Sequence, residues 1–180
     1  MIKKMVWIAL TMLLCGCGGN KFHNALWAQN YTDVQQFVEK EGADINAPDG
    51  DGNTPLLIAA QTGNLPIGKF LIDKGTELDH QNDYGWTALI YTAYYDNFPL
   101  ARLLVEKGAN LDKQNSEGWT ALLYAVYYGR DHIAKIMINK GTDINKRNKY
   151  GYDALYYAEQ YQRTEIAKLL KAHGAKSAYE

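Results

Sequence analysis

The sequence predicts an all-α solenoid of about five helix-turn-helix units, each roughly 33 residues long with a short turn or hairpin finger. Three observations carry that prediction. Thr54-Pro-Leu-Leu, Thr87-Ala-Leu-Ile, Thr120-Ala-Leu-Leu and Asp153-Ala-Leu-Tyr start 33 residues apart. Gly42, Gly75, Gly108, Gly141 and Gly174 keep the same spacing. Between these landmarks apolar residues recur at i, i+3, i+4, as in Ile67, Phe70 and Leu71 or Leu100, Leu103 and Leu104. That spacing sets one apolar stripe on a helix face, and self-similarity at a fixed period is the signature of stacked units.

The chain opens MIKKMVWIALTMLLCGCGGN, which reads as an address rather than structure. Lys3 and Lys4 form a positive leader, and Met5 to Leu14 is an apolar run too short to cross a bilayer as a helix. Leu14-Cys15-Gly16-Cys17 resembles the bacterial lipobox, which directs lipid to a cysteine and cleavage just before it. The small residue required ahead of that cysteine fits Cys17 and fails for Cys15. The resemblance implies a signal peptide over residues 1–16, lipid on Cys17, and a short tether over 17–23. Cys15 then leaves with the signal and Cys17 is modified, so the mature chain has no disulfide and folds through packing alone. Gly18 after Cys17 looks like the sorting rule of enteric outer-membrane lipoproteins. The expected location is the cell envelope, at the outer membrane facing the periplasm.

The units follow in order at residues 24–48, 49–81, 82–114, 115–147 and 148–180. Thr54, Thr87 and Thr120 are suited to cap the first helix of their units, and Pro55 suits a first helical turn. Pro66 and Pro99 open second helices. The spaced glycines fit the left-handed residue that ends a helix. Gly68, Ala101, Ala134 and Ala167 recur where neighbouring helices approach closely. The ends differ as solenoid caps do. Unit one lacks the Thr-Pro-Leu opening, and in unit five Lys171 replaces the apolar Ile72, Val105 and Ile138.

Thr-Pro-Leu-x-x-Ala-Ala-x-x-Gly at Thr54 to Gly63, and Gly-Ala-Asp-Ile-Asn at Gly42 to Asn46, resemble ankyrin repeats. Gly108-Ala-Asn-Leu-Asp112 and Gly141-Thr-Asp-Ile-Asn145 repeat the second signature. The resemblance spans residues 24–180. It departs from the family where the usual histidine is Leu57, Ile90, Leu123 or Tyr156, and proline survives only in the first full unit. It implies a protein-binding role on the concave face built from first helices and fingers.

Composition excludes other classes. The 180 residues hold 19 basic and 20 acidic side chains, without the clustered positive charge that phosphate binding needs, so no nucleic-acid partner is expected. Only Ser116 and Ser177 are serines, and neither sits in the Gly-x-Ser-x-Gly turn of a serine hydrolase. His23, His80, His132 and His173 fall at unrelated positions and read as solvated or capping groups. Asp49-Gly-Asp-Gly-Asn53 fails as a calcium loop, with Thr54 at the glycine and Ala60 at the bidentate glutamate position, and reads as a tight turn. No catalytic residue, metal or cofactor is expected, and the chain reads as a monomer and not an enzyme.

The 14 tyrosines stand out against four phenylalanines. Tyr94-Tyr95 and Tyr127-Tyr128 repeat at one position, joined by Tyr161, while Tyr84, Trp86, Trp119, Tyr150 and Tyr152 fall in the turns. The family resemblance places these ten on the concave face, where solvent-facing rings serve contact rather than folding, with packing across the turns as the alternative role for Trp86 and Trp119. Tyr91, Tyr124 and Tyr157 sit deeper and read as core. The expected function is therefore non-enzymatic binding of one protein partner. Two forms of it are an immunity lipoprotein against a periplasm-acting toxin, and an accessory factor for a periplasmic enzyme such as a haem peroxidase or catalase. A hydrolase would need a converging polar site, and an inert spacer would carry a polar face.

Overall fold

The computed structural model describes residues 21–176, among which there are ten helices and no strand. The helices form five pairs: α1 Lys21–Trp27 with α2 Tyr31–Glu39, α3 Pro55–Thr62 with α4 Leu65–Asp73, and α5 Ala88–Tyr95 with α6 Phe98–Glu106. The last two pairs are α7 Ala121–Tyr128 with α8 Asp131–Asn139, and α9 Ala154–Gln160 with α10 Thr164–Ala172. First helices stack on first helices and second on second, giving two layers. The expected signal peptide over residues 1–16 and the lipid-bearing Cys17 lie outside the described residues.

Caps fix where each helix begins. The side chains of Thr87, Thr120 and Asp153 accept from the backbone N–H groups of Ile90, Leu123 and Tyr156. Thr54 departs from this pattern, because its buried Oγ1 has no partner. Second helices start differently: Asn30, Asn64 and Asn97 accept from the N–H three residues on. Gly42, Gly75, Gly108, Gly141 and Gly174 all take positive φ, between 68° and 94°. Close packing of second helices leaves no room for a Cβ on Gly68, which would meet Leu100 Cδ1 at 2.8 Å.

Two apolar clusters run along the array. Phe22, Leu26 and Val34 pack with Ile58, Ile67 and Leu71, and a longer core continues from Leu56 to Leu170. Burial of Phe22 and His23 corrects one boundary. Helix α1 starts at Lys21, so residues 21–23 belong to the first unit and not to a tether. The histidines also differ from a purely solvated set. The rings of His23 and His80 donate to the carbonyls of Ala47 and Gly52, both at 3.0 Å, and tie loops together.

Successive fingers bond to one another. Asp83, Ser116 and Lys149 donate their N–H groups to the carbonyls of Asp51, Tyr84 and Glu117, at 3.0 to 3.3 Å. Such an approach needs glycine on the facing strand of the turn. A Cβ on Gly118, where φ is 76°, would sit 2.9 Å from Lys149 N. The Asp49–Asn53 segment is a turn of this kind, with Asp49 Oδ1 accepting from the N–H groups of Asp51 and Asn53.

Candidate binding face

In units three to five each finger is held by one asparagine. Asn82 Oδ1 accepts from the N–H groups of Tyr84 and Trp86, Asn115 Oδ1 from Glu117 and Trp119, and Asn148 Oδ1 from Tyr150 and Tyr152. The Nδ2 of each donates to a phenol nine residues on: Tyr91, Tyr124 and Tyr157, at 2.7 to 3.1 Å. The amide therefore joins finger to first helix, and its donors and acceptors are satisfied in a buried site, as burial requires.

Those three phenols begin an aromatic column. Trp86 stacks between Tyr91 and Tyr124 with ring centroids 4.8 and 5.1 Å away. Trp119 stacks between Tyr124 and Tyr157 at 4.7 and 5.2 Å. The order Tyr91, Trp86, Tyr124, Trp119, Tyr157 alternates helix and finger, so the column bonds unit to unit. Tyr94 and Tyr127 wedge beside it in edge-to-face contact. Tyr94 touches Trp86, Tyr95, Tyr124 and Tyr128, and Tyr127 touches Trp119, Tyr128, Tyr157 and Tyr161, all at 4.9 to 5.5 Å. Edge-to-face pairs are the geometry that the ring quadrupoles favour.

The face thus has depth. Tyr91, Tyr124 and Tyr157 are buried, as expected of core positions. Trp86, Trp119, Tyr94, Tyr95 and Tyr127 are half-buried, which corrects the expectation of solvent exposure for the three tyrosines. Their neighbours cover them because every third or fourth residue on these first helices is aromatic. The ring tier reaching solvent is Tyr128, Tyr152 and Tyr161, with Tyr84 and Tyr150 at finger tips, each 59% exposed. Tyr152 stacks on Tyr156 at 4.0 Å, a partner that the sequence had not singled out. In unit two Asn53, Ile58, Gln61 and Thr62 replace the aromatic set, so the ribbon runs through units three to five.

Burial raises some of these phenols above the ordinary range. It pushes Tyr91 up to about 12, and burial together with the hydrogen bond to Tyr94 does the same for Tyr128. Tyr161 is raised first by its hydrogen bond with Tyr127, and burial raises Tyr95, Tyr124 and Tyr157. The asparagine–tyrosine spacing of nine, repeated three times, is the signal that could have revealed the column from sequence. Among the described residues no group of three metal-ligating side chains converges, and no helix is long and apolar enough to cross a membrane.

A stack of paired helices with a continuous side-chain face is the architecture of an interaction scaffold. The family model for ankyrin repeats (3 copies) matches residues 22–115 and 107–178, and the chain belongs to the ankyrin-repeat family. Ankyrin repeats are protein–protein interaction modules, and the family is typically a non-enzymatic scaffold. No curated protein matches the chain in sequence.

Proposed function

We propose that this chain is a non-enzymatic docking module, held in the bacterial cell envelope by lipid on Cys17, that grips one protein through its aromatic ribbon. The observation that carries the reading is the layered ribbon itself. Tyr128, Tyr152 and Tyr161 stand on a backing of stacked rings and already occupy fixed positions. Rings ordered in advance lose little entropy on binding, and tyrosine and tryptophan dominate interface energetics. The partner best suited to a small, anchored, single-faced binder is a toxin that reaches the periplasm, which makes the chain an immunity protein.

The test is affinity capture from detergent-solubilised envelope, comparing the native chain with a Tyr128→Ala, Tyr161→Ala variant. One protein recovered by the native chain and lost by the variant is the expected result. Co-expression should then relieve growth arrest by that protein, and Cys17→Ala should abolish both membrane recovery and relief. Recovery of a haem peroxidase instead transfers the role to an accessory factor, and equal capture by both forms removes the aromatic face from the account.

A further inference from the structure

The last two units break a local rule that the first three obey. Where Asn30, Asn64 and Asn97 cap the second helix, units four and five carry Arg130 and Arg163, and neither side chain makes a cap hydrogen bond. Arginine forfeits the cap and sets a cation at the positive end of the helix. Locally unfavourable residues mark sites selected for something other than folding.

The two arginines differ in what they meet. Arg130 Nη1 lies 3.3 Å from Asp96 Oδ2 of the preceding unit, and its guanidinium stands 6.0 Å from the Tyr128 ring centre. One repeat on, Gly129 replaces Asp96. The Arg163 guanidinium lies in the space that a Cβ on Gly129 would need, and Arg163 makes no ion pair among the described residues. The Nε atoms of both arginines are buried without a partner, so the two differ in the missing carboxylate and not in that atom. Tyr128 precedes Gly129 in the chain, so this cation lies beside the backbone that carries Tyr128.

Charge along the array points the same way. Residues 41–85 hold eight acidic and two basic side chains, whereas residues 129–176 hold ten basic and five acidic. An acidic segment is drawn to the second region and repelled from the first. We infer that Arg163 is a carboxylate socket, in which an aspartate or glutamate of the protein partner takes the place that Asp96 takes for Arg130 while the partner lies across Tyr128 and Tyr161. The inference rests on the aromatic face being the docking surface. It adds the chemistry of the anchor, because a charge-assisted pair to a planar guanidinium supplies direction and discrimination that rings alone lack.

The experiment pans random twelve-residue phage-displayed peptides on the detergent-solubilised full chain and measures the selected peptides against variants. Selected peptides should carry an acidic residue near an aromatic one. Arg163→Gln and Gly129→Asp, which supplies an internal carboxylate, should each weaken them at least tenfold, and Arg130→Gln less than threefold. A urea midpoint for each variant guards against unfolding, and Arg163→Gln alone decides if Gly129→Asp misfolds. Affinity unchanged by Arg163→Gln but lost by Tyr128→Ala, Tyr161→Ala overturns the socket and leaves the face standing. Affinity unchanged by both overturns the face as well, and so does a selection that yields no binder.

Discussion

At the scale of single residues, the sharpest contrast is between threonines that look identical in sequence. Thr120 caps Leu123, while Thr54 at the matching position buries a hydroxyl without a partner. Thr120→Ala should cost about 1 kcal/mol, the usual worth of a cap. Thr54→Val keeps the shape and removes an unsatisfied oxygen, so it should be neutral or stabilising by up to about 1 kcal/mol. Urea midpoints measure both, and an equal loss for the two would mean that Thr54 is also a working cap. The phenols supply a second residue-scale prediction. Tyr91 and Tyr128 hold their protons to about pH 12 when folded, but a free phenol ionises near pH 10. The native state therefore binds more protons between those values, and stability should be level below about pH 10 and fall from there through pH 12. Absorbance of tyrosinate near 295 nm should show a late-titrating fraction in the folded protein that merges with the rest in urea; a single transition near pH 10 would contradict the buried column.

At the scale of elements, the column makes stability and binding surface one object. Trp119 is half-buried, with Tyr124 and Tyr157 against its two ring faces, so Trp119→Ala should be clearly destabilising, with the roughly 3–5 kcal/mol of a fully buried large ring as the upper bound. Tyr84→Ala at an exposed finger tip should stay within about 0.5 kcal/mol. The fingers offer an internal control for glycine. Gly118 and Gly151 share positive φ, but only Gly118 faces the backbone of a following finger, and nothing lies within 4 Å of a Cβ on Gly151. Gly118→Ala should lower the thermal midpoint clearly more than Gly151→Ala, and equal losses would show that φ alone matters. This scale also explains what was legible beforehand. Helices, glycine ends and the unit period were readable because each rests on local spacing that repeats. The half-burial of Tyr94, Tyr95 and Tyr127 was not, because covering a ring depends on the neighbouring unit's rings, which no single helix pattern encodes. Arg163 was missed for a related reason: its meaning lies in the replacement of Asp96 by Gly129 one unit earlier, a difference between repeats rather than a motif within one.

At the scale of the whole molecule, stability is carried by interfaces between neighbours, since each described pair of helices makes its main contacts with the pairs before and after it. A substitution should then be felt according to its place in the array. Leu104 is fully buried in the middle unit and packs into the long core, so Leu104→Ala should cost on the order of 2–5 kcal/mol. Weakening the centre leaves two short arrays, neither with enough neighbours to persist alone, so unfolding should remain a single transition at a lower midpoint. Leu26 is buried as completely, but it sits in α1, which packs against the second unit and belongs to the separate N-terminal cluster. Leu26→Ala should remove a comparable amount of local packing with a different outcome. Helices α1 and α2 can open while units two to five keep their contacts, because local opening is limited by the interface that breaks and not by the global free energy. Hydrogen exchange resolved by residue should show protection falling across residues 21–39 in Leu26→Ala, with α5 to α8 unchanged, whereas Leu104→Ala should lower protection everywhere. A uniform fall in both variants would mean that the five units open as one block and that the nearest-neighbour account fails.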